Sequence, residues 1–265
     1  MRFQTIGNIT VARFRLLETQ ADVSHFVSCR AGGVSPPPWD TLNISHTVGD
    51  SPARVEKNRS LLARTLGMRT KQLRFCAQRH GTDIWVVSER ERICPDEPLR
   101  EADGMITAQP GVCLTVVVAD CAPVLLWSTS KRVAGVFHAG WRGLAGGICE
   151  KAVDTMRVLF RAAPYEMIAC VGPCIGACCY RVDAQVIEAM EPHLCRTPHA
   201  LVARGGGFYL DLSAIAAGQL LSAGVPEAHI EEAGVCTSCR QDLFFSHRGS
   251  GGRTGRCAAG IAIEG

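Results

Sequence analysis

Apolar residues come in short bursts along this chain, separated by polar turns. The segment LTVVVADCAPVLL, Leu114–Leu126, is apolar on both sides of an interruption at Asp120 and Cys121. The segment GVFHAGWRGLAGGI, Gly135–Ile148, ends an apolar run at His138 and then turns glycine-rich. Runs of this length predict strands, and the whole block from Val112 to His138 reads as short strands joined by tight turns. Further strands are predicted at HFVSCR, LRFCAQ, DIWVVS, MIACVG and the closing AGIAIEG. Helical spacing is predicted from Pro52 to about Leu66, with Asp50 or Ser51 able to cap and proline in the first turn. It recurs from about Leu144 to Phe160, in DAQVIEAMEPHL, and from Asp211, as cap, to about Ser222. There is no internal repeat, no low-complexity tract and no linker long enough to divide the chain. Residues 1–265 are therefore expected to form one domain of mixed α and β type, with sheet layers covered by helices.

Composition narrows the functional classes. The longest apolar runs, Val112–Ala119 and Pro123–Trp127, are too short to cross a bilayer, so no membrane partner is expected. The first twenty residues lack the apolar core of a signal peptide, and a cytoplasmic location is expected. A net charge of +3, with basic residues scattered among acids, gives no reason to expect a nucleic-acid partner. The 14 cysteines are expected to be reduced thiols, mostly packed as small hydrophobes. Two clusters, Cys174, Cys178 and Cys179 in CIGACCY and Cys236 and Cys239 in CTSC, raise the alternative of a structural zinc. Packed or partly exposed thiols are the favoured reading there, because spacing alone does not bring the two clusters together.

The candidate chemistry lies at strand ends. His80 sits in the turn QRHGTD, Cys121 follows Asp120, and His138 precedes Ala-Gly. Each alone reads as a structural residue. Together, two histidines and one cysteine can supply three tetrahedral positions to zinc and leave a fourth open. Their wide separation in sequence suits a catalytic site assembled from several strands. The adjacent small residues leave room for a ligand.

The motifs QRHGTDI, ADGMIT, ADCAPVLL, HAGWRGL, GPCIGACCYRV and FFSHRGSGGRTGRCAAGI resemble, in order, those of the bacterial YfiH/YlmD-like proteins. That family carries the label polyphenol oxidase or laccase domain and is similar to the human laccase-domain protein FAMIN. The opening SCRAGGVSPPPWDTLNISHTVGDSPARVEKNR also fits, so the resemblance spans roughly Phe26 to Ile263. Arg79 departs from it, standing where the family has a small or β-branched residue; this affects the pocket rim and not the ligands. The resemblance implies zinc on His80, Cys121 and His138, and an α+β fold of layered mixed sheets flanked by helices, similar to the catalytic domain of a bacterial deamidating toxin. It also implies phosphorolysis of adenosine, inosine and methylthioadenosine, and deamination of adenosine. Purine nucleosides and phosphate are then the expected partners.

Further readings and assignments follow from the residues. A multicopper oxidase needs a mononuclear and a trinuclear copper centre rich in His-x-His pairs. This chain has eight histidines and no such pair, so copper is expected only as an in vitro occupant of the zinc ligands. Cys121 could instead serve as the nucleophile of a thiol hydrolase with His138 or His80 as base, a role that zinc ligation excludes. A purine-binding sensor without turnover is the non-enzymatic alternative. For phosphate, the candidates are Arg30 in CRAGG, Arg248 and Arg256. Asn43 and His46 are candidates for sugar or base contacts, and Asp120 for a hydrogen bond to a metal-bound histidine.

Overall fold

The computed structural model describes residues 1–88 and 99–265. Its strands are β1 (Arg2–Ile6), β2 (Ile9–Arg13), β3 (Val23–Ser28), β4 (Leu73–Arg74), β5 (Ile84–Val87), β6 (Gly104–Thr107), β7 (Cys113–Val118), β8 (Ala122–Ser128), β9 (Val133–Ala139), β10 (Met167–Val171), β11 (Arg181–Val182), β12 (Leu201–Arg204), β13 (Gly207–Leu210), β14 (Ile230–Glu232) and β15 (Cys257–Ile263). The α-helices are α1 (Arg15–Glu18), α2 (Pro52–Thr65), α3 (Trp141–Ala145), α4 (Ile148–Phe160), α5 (Ala184–Leu194) and α6 (Leu212–Ser222).

One mixed sheet runs β1-β2-β3-β15-β7-β4 and a second runs β14-β10-β8-β9-β6-β5. A small third sheet is ordered β11-β13-β12. The two large sheets pack face to face. Val27, Leu114, Val116 and Ile261 of the first meet Met105, Leu125, Trp127 and Val136 of the second. The outer face of the second sheet carries Val124, Leu126 and Phe137 against α4 and α6, where Val153, Met156 and Leu220 close the layer. The outer face of the first carries Val11, Phe26 and Ala258 against Leu62 of α2. β8 and β9 are thus covered on both faces, which is why their sequences are continuously apolar and do not alternate.

Several predicted elements differ in detail. The helix expected from Leu144 starts earlier, at Trp141, and breaks at Gly146–Gly147, where Gly147 has φ +74°. Left-handed backbone interrupts a helix and costs glycine little. Neither Asp50 nor Ser51 caps α2 through its side chain. Asp50 accepts instead from Ser35 Oγ, Asn43 Nδ2 and Ser51 N. Asp183 and Asp211 do cap, accepting from Val186 N and from Ser213 N and Ala214 N. The β1–β2 hairpin and the third sheet were not legible as apolar runs, because β1 and β12 are largely exposed.

Phe137 shows how tightly the second sheet is packed. A Cβ on Gly135 would stand 2.8 Å from two atoms of the Phe137 ring, and one on Gly104 would also collide with it. Gly135→Ala is therefore expected to destabilise the fold by about 1–3 kcal/mol through overpacking. In a Phe137→Leu background the same change should cost clearly less. Urea denaturation of the four proteins checks this, and an equal cost in both backgrounds would remove the ring as the cause.

Candidate metal centre

Strand direction gathers the candidate ligands at one end of the second sheet. β5 and β6 run parallel, with Ile84 opposite Gly104, and β9 returns antiparallel with Phe137 opposite Gly104. The starts of β5 and β6 therefore lie beside the end of β9. Next to it begins β8, with Pro123 opposite His138. His80 precedes β5, Asp103 precedes β6, Cys121 precedes β8, and His138 lies near the end of β9. The donor atoms of His80, Cys121 and His138 come within 4.8 Å of one another. The two imidazole rings meet edge to face, with centroids 4.8 Å apart.

Asp103, buried to 1% exposure, organises this group. Its carboxylate accepts from three successive backbone N–H groups: Arg79 at 3.1 Å, His80 at 2.9 Å and Gly81 at 2.6 Å. It also accepts from His138 Nδ1 at 2.9 Å, while its carbonyl accepts from His138 N at 2.7 Å. The Nδ1–H tautomer leaves Nε2 of His138 as a lone-pair donor. Burial disfavours the Asp103 carboxylate, but these hydrogen bonds and the His138 charge outweigh it and hold its pKa below the usual value. His80 is held at φ +61° and Asp120 at φ +86°, unusual for side-chain-bearing residues and consistent with local strain at a functional site. Close approach is also built in at Gly140, where a Cβ would stand 2.9 Å from Cys121 Sγ.

Electrostatics prepare the sulfur. Burial pushes the Cys121 thiol up, but the His138 charge and hydrogen bonds from His138 and His80 bring it down to about 6. Burial likewise disfavours a charged His138, yet the Cys121 sulfur and the Asp103 carboxylate raise it to about 9. Without a metal, the pair is a thiolate beside an imidazolium. A metal cation in place of that proton satisfies the same sulfur, and a thiolate with two imidazoles is a donor set that fits one.

The three donors line a cavity of about 450 Å³, whose wall includes Trp141, Arg142, Tyr180, His247, Arg248 and Arg256. Asp120 also borders it but does not reach a histidine. Its carboxylate accepts from Thr237 Oγ1 and from Arg248 N, both at 2.6 Å, and the bond expected of it is made by Asp103. Arg30 is outside the lining. Its guanidinium donates to Asp40 O, Asp40 Oδ2 and Gln241 O and lies over the Phe245 ring, so it ties loops together. Asn43 is fully buried, accepting from Ser45 N and Arg256 N, and His46 pairs with Glu56. Neither lines the cavity. Arg79 pairs with exposed Glu101. Sequence reasoning missed Asp103, Arg142 and Tyr180, although all three lie inside the motifs ADGMIT, HAGWRGL and CCYRV.

The fold of two packed mixed sheets, the second carrying the His-Cys-His candidate site at one end, is that of the YlmD/YfiH-type proteins. The chain belongs to the multi-copper polyphenol oxidoreductase laccase family, whose model matches residues 24–264. It is 37% identical over 243 residues to purine nucleoside phosphorylase YlmD of Geobacillus stearothermophilus, covering 89% of this chain and 88% of that one. It is 30% identical over 260 residues to a purine nucleoside phosphorylase of Bacteroides thetaiotaomicron, covering 95% of each. The crystal structure of the Geobacillus YlmD matches with a TM-score of 0.92 at 35% identity, over 99% of both chains. That of a Bacillus licheniformis hypothetical protein YfiH matches with a TM-score of 0.90 at 31% identity, again over 99% of both.

The lowered thiol gives a direct test of the centre. In chelator-stripped protein, iodoacetamide should alkylate Cys121 at a rate that follows the thiolate fraction, rising through a midpoint near pH 6. His138→Gln should move the midpoint up toward 9.0, the ordinary thiol value. Peptide mass spectrometry reads the rate at this one cysteine, and a midpoint near 9 in the unmutated protein would remove the ion pair.

Proposed function

We propose that this chain is a zinc-dependent purine nucleoside phosphorylase acting on adenosine, inosine and methylthioadenosine, and that it also deaminates adenosine. The observation that carries this is the convergence of His80, Cys121 and His138 on a cavity walled by three arginines. The relatives named purine nucleoside phosphorylase support the substrate class.

In phosphorolysis a phosphate oxygen attacks the anomeric carbon as the bond to the purine nitrogen breaks. The electron pair leaves with the purine, which takes up a proton, and the sugar passes through an oxocarbenium-like state. The protein must hold a dianion beside that carbon. Arg142, Arg248 and Arg256 supply guanidinium groups for this. Arg248 is fixed by its backbone N–H on Asp120, by Nη1 on Arg181 O and by the Tyr180 ring below it. Arg256 is fixed through Nη1 on the carbonyls of Thr254 and Gly255, leaving its other N–H groups to donate. Burial, with the charge of Cys121, pushes the Tyr180 phenol up to about 12, so at neutral pH it is a neutral donor at the cavity wall. A zinc ion held by His80, Cys121 and His138 supplies Lewis acidity and acidifies water when bound. Deamination needs water at the purine ring and no phosphate, so the arginines matter less to it.

The Cys121–His138–Asp103 line is also the geometry of a thiol nucleophile with its base and orienting acid, which favours a hydrolase as the second reading. A nucleophile needs one base, however, and here a second histidine faces the same sulfur, as a metal site requires. Three of the six other histidines are engaged elsewhere, His25 with Phe14 N, His46 with Glu56 and His193 with Gln219, and among the described residues the one metal-capable group that contains histidine is His80, Cys121 and His138.

The test is product analysis with adenosine on zinc-quantified protein. Adenine released only with phosphate, and inosine formed without it, are the expected results; neither product from zinc-loaded protein would overturn the reading. His80→Ala, Cys121→Ala and His138→Ala should each lose most zinc from this centre and most activity while staying folded, and full occupancy of the centre in any of them would strike that residue from the ligands. Arg248→Ala and Arg256→Ala should each raise the KM for phosphate and lower phosphorolysis by a factor on the order of 10²–10³, with deamination less affected. Equal loss of both reactions would make these arginines nucleoside contacts instead.

A further inference from the structure

A second group of metal-capable side chains lies apart from the cavity. Cys178, Cys179, Cys236 and Cys239 bring their sulfurs within 4.8 Å of one another, from segments about sixty residues apart in sequence. Cys178 Sγ and Cys239 Sγ are 3.5 Å apart, and Cys179 Sγ and Cys239 Sγ 3.4 Å. A disulfide requires about 2.05 Å. Four thiolates around zinc at about 2.3 Å form a tetrahedron with edges of about 3.8 Å, much nearer the spacing found here.

The backbone is also arranged for thiolates. Gly176 N–H donates to Cys236 Sγ at 3.5 Å, and the N–H groups of Ser238 and Cys239 are directed at the same sulfur. Such donors around the first cysteine of a Cys-x-x-Cys turn stabilise negative charge on sulfur. The two segments are joined by a bridge between Cys174 and Cys236, with Thr237 N donating to Cys174 O. Cys178 and Cys239 are exposed, so an ion can enter.

We propose that Cys178, Cys179, Cys236 and Cys239 bind a structural zinc ion, distinct from the one at His80, Cys121 and His138. Binding displaces the remaining thiol protons to solvent and needs no oxidant. The site fastens two segments that both reach the cavity. Tyr180, next to Cys179, lines its wall, and Thr237, next to Cys236, holds the Asp120 carboxylate. The cysteines expected as packed or partly exposed thiols are partly exposed and converge, and the proposal gives that convergence a ligand.

The test uses the full chain, purified under reductant and loaded with zinc alone. Zinc per chain is measured by mass spectrometry, and its ligands by X-ray absorption at the zinc edge. His80→Ala/His138→Ala should retain one zinc, with four sulfurs at about 2.3 Å. Cys178→Ser/Cys239→Ser should lose one zinc and retain the other on mixed nitrogen and sulfur. Should either variant fail to fold, the unmutated chain decides, since two zincs would share five sulfurs and two imidazole nitrogens. A His80→Ala/His138→Ala chain without zinc, zinc there with fewer than four sulfurs, or a disulfide among these cysteines would overturn the proposal.

Discussion

The buried carboxylate of Asp103 is the interaction on which the candidate centre depends. One group fixes the His80 turn through three consecutive N–H groups and fixes the His138 ring through Nδ1. A hydrogen bond to a charged group contributes about 1.5–3 kcal/mol, so the four together offset the cost of burying the charge. The carboxylate also sets the proton inventory. By accepting from Nδ1 it leaves Nε2 to donate, and its charge favours a cationic group beside Cys121. The stability it supplies is fully present above the ordinary carboxylate pKa and is lost as pH falls through its lowered value.

The sheet order explains why one carboxylate can do this. Asp103 opens β6, which lies between β5 and β9, so its neighbours on either side are the turn before β5 and the end of β9. Cys121 enters from the next strand over, at the turn where the chain passes from the first large sheet into the second. The cavity is thus bounded by rigid strand ends on one side. On the other it is bounded by the loops carrying Tyr180, Arg248 and Arg256, whose backbone is fixed through Asp120 and Asn43.

Much of this was legible in the sequence. The apolar runs ending in Cys121 and His138 marked both strands and candidate donors, because a polar donor at the end of a buried strand stands out against its neighbours. His80 was legible through its glycine-flanked turn. Asp103 was not, since an acid before glycine reads as an ordinary turn, and its role arises only when β6 pairs with β9. Arg30 shows the opposite case, an expected cavity residue placed outside the cavity lining. A guanidinium beside two glycines reads as an anion site, but Asp40 and the Gln241 carbonyl, the latter 211 residues away, already occupy it. The convergence of Cys178 and Cys179 with Cys236 and Cys239 was beyond spacing rules for the same reason: long-range packing brings them together.

The most direct test of Asp103 as the organiser of the centre is the zinc dissociation constant of Asp103→Asn. It is best measured by chelator competition in a Cys178→Ser/Cys239→Ser background, so that only the His80–Cys121–His138 donors titrate. Asparagine keeps the shape but loses one acceptor oxygen and the charge facing His138. Affinity should weaken by about 10–100-fold with the fold retained by circular dichroism. An unchanged dissociation constant would show that the ligands are held without this carboxylate and would contradict its organising role.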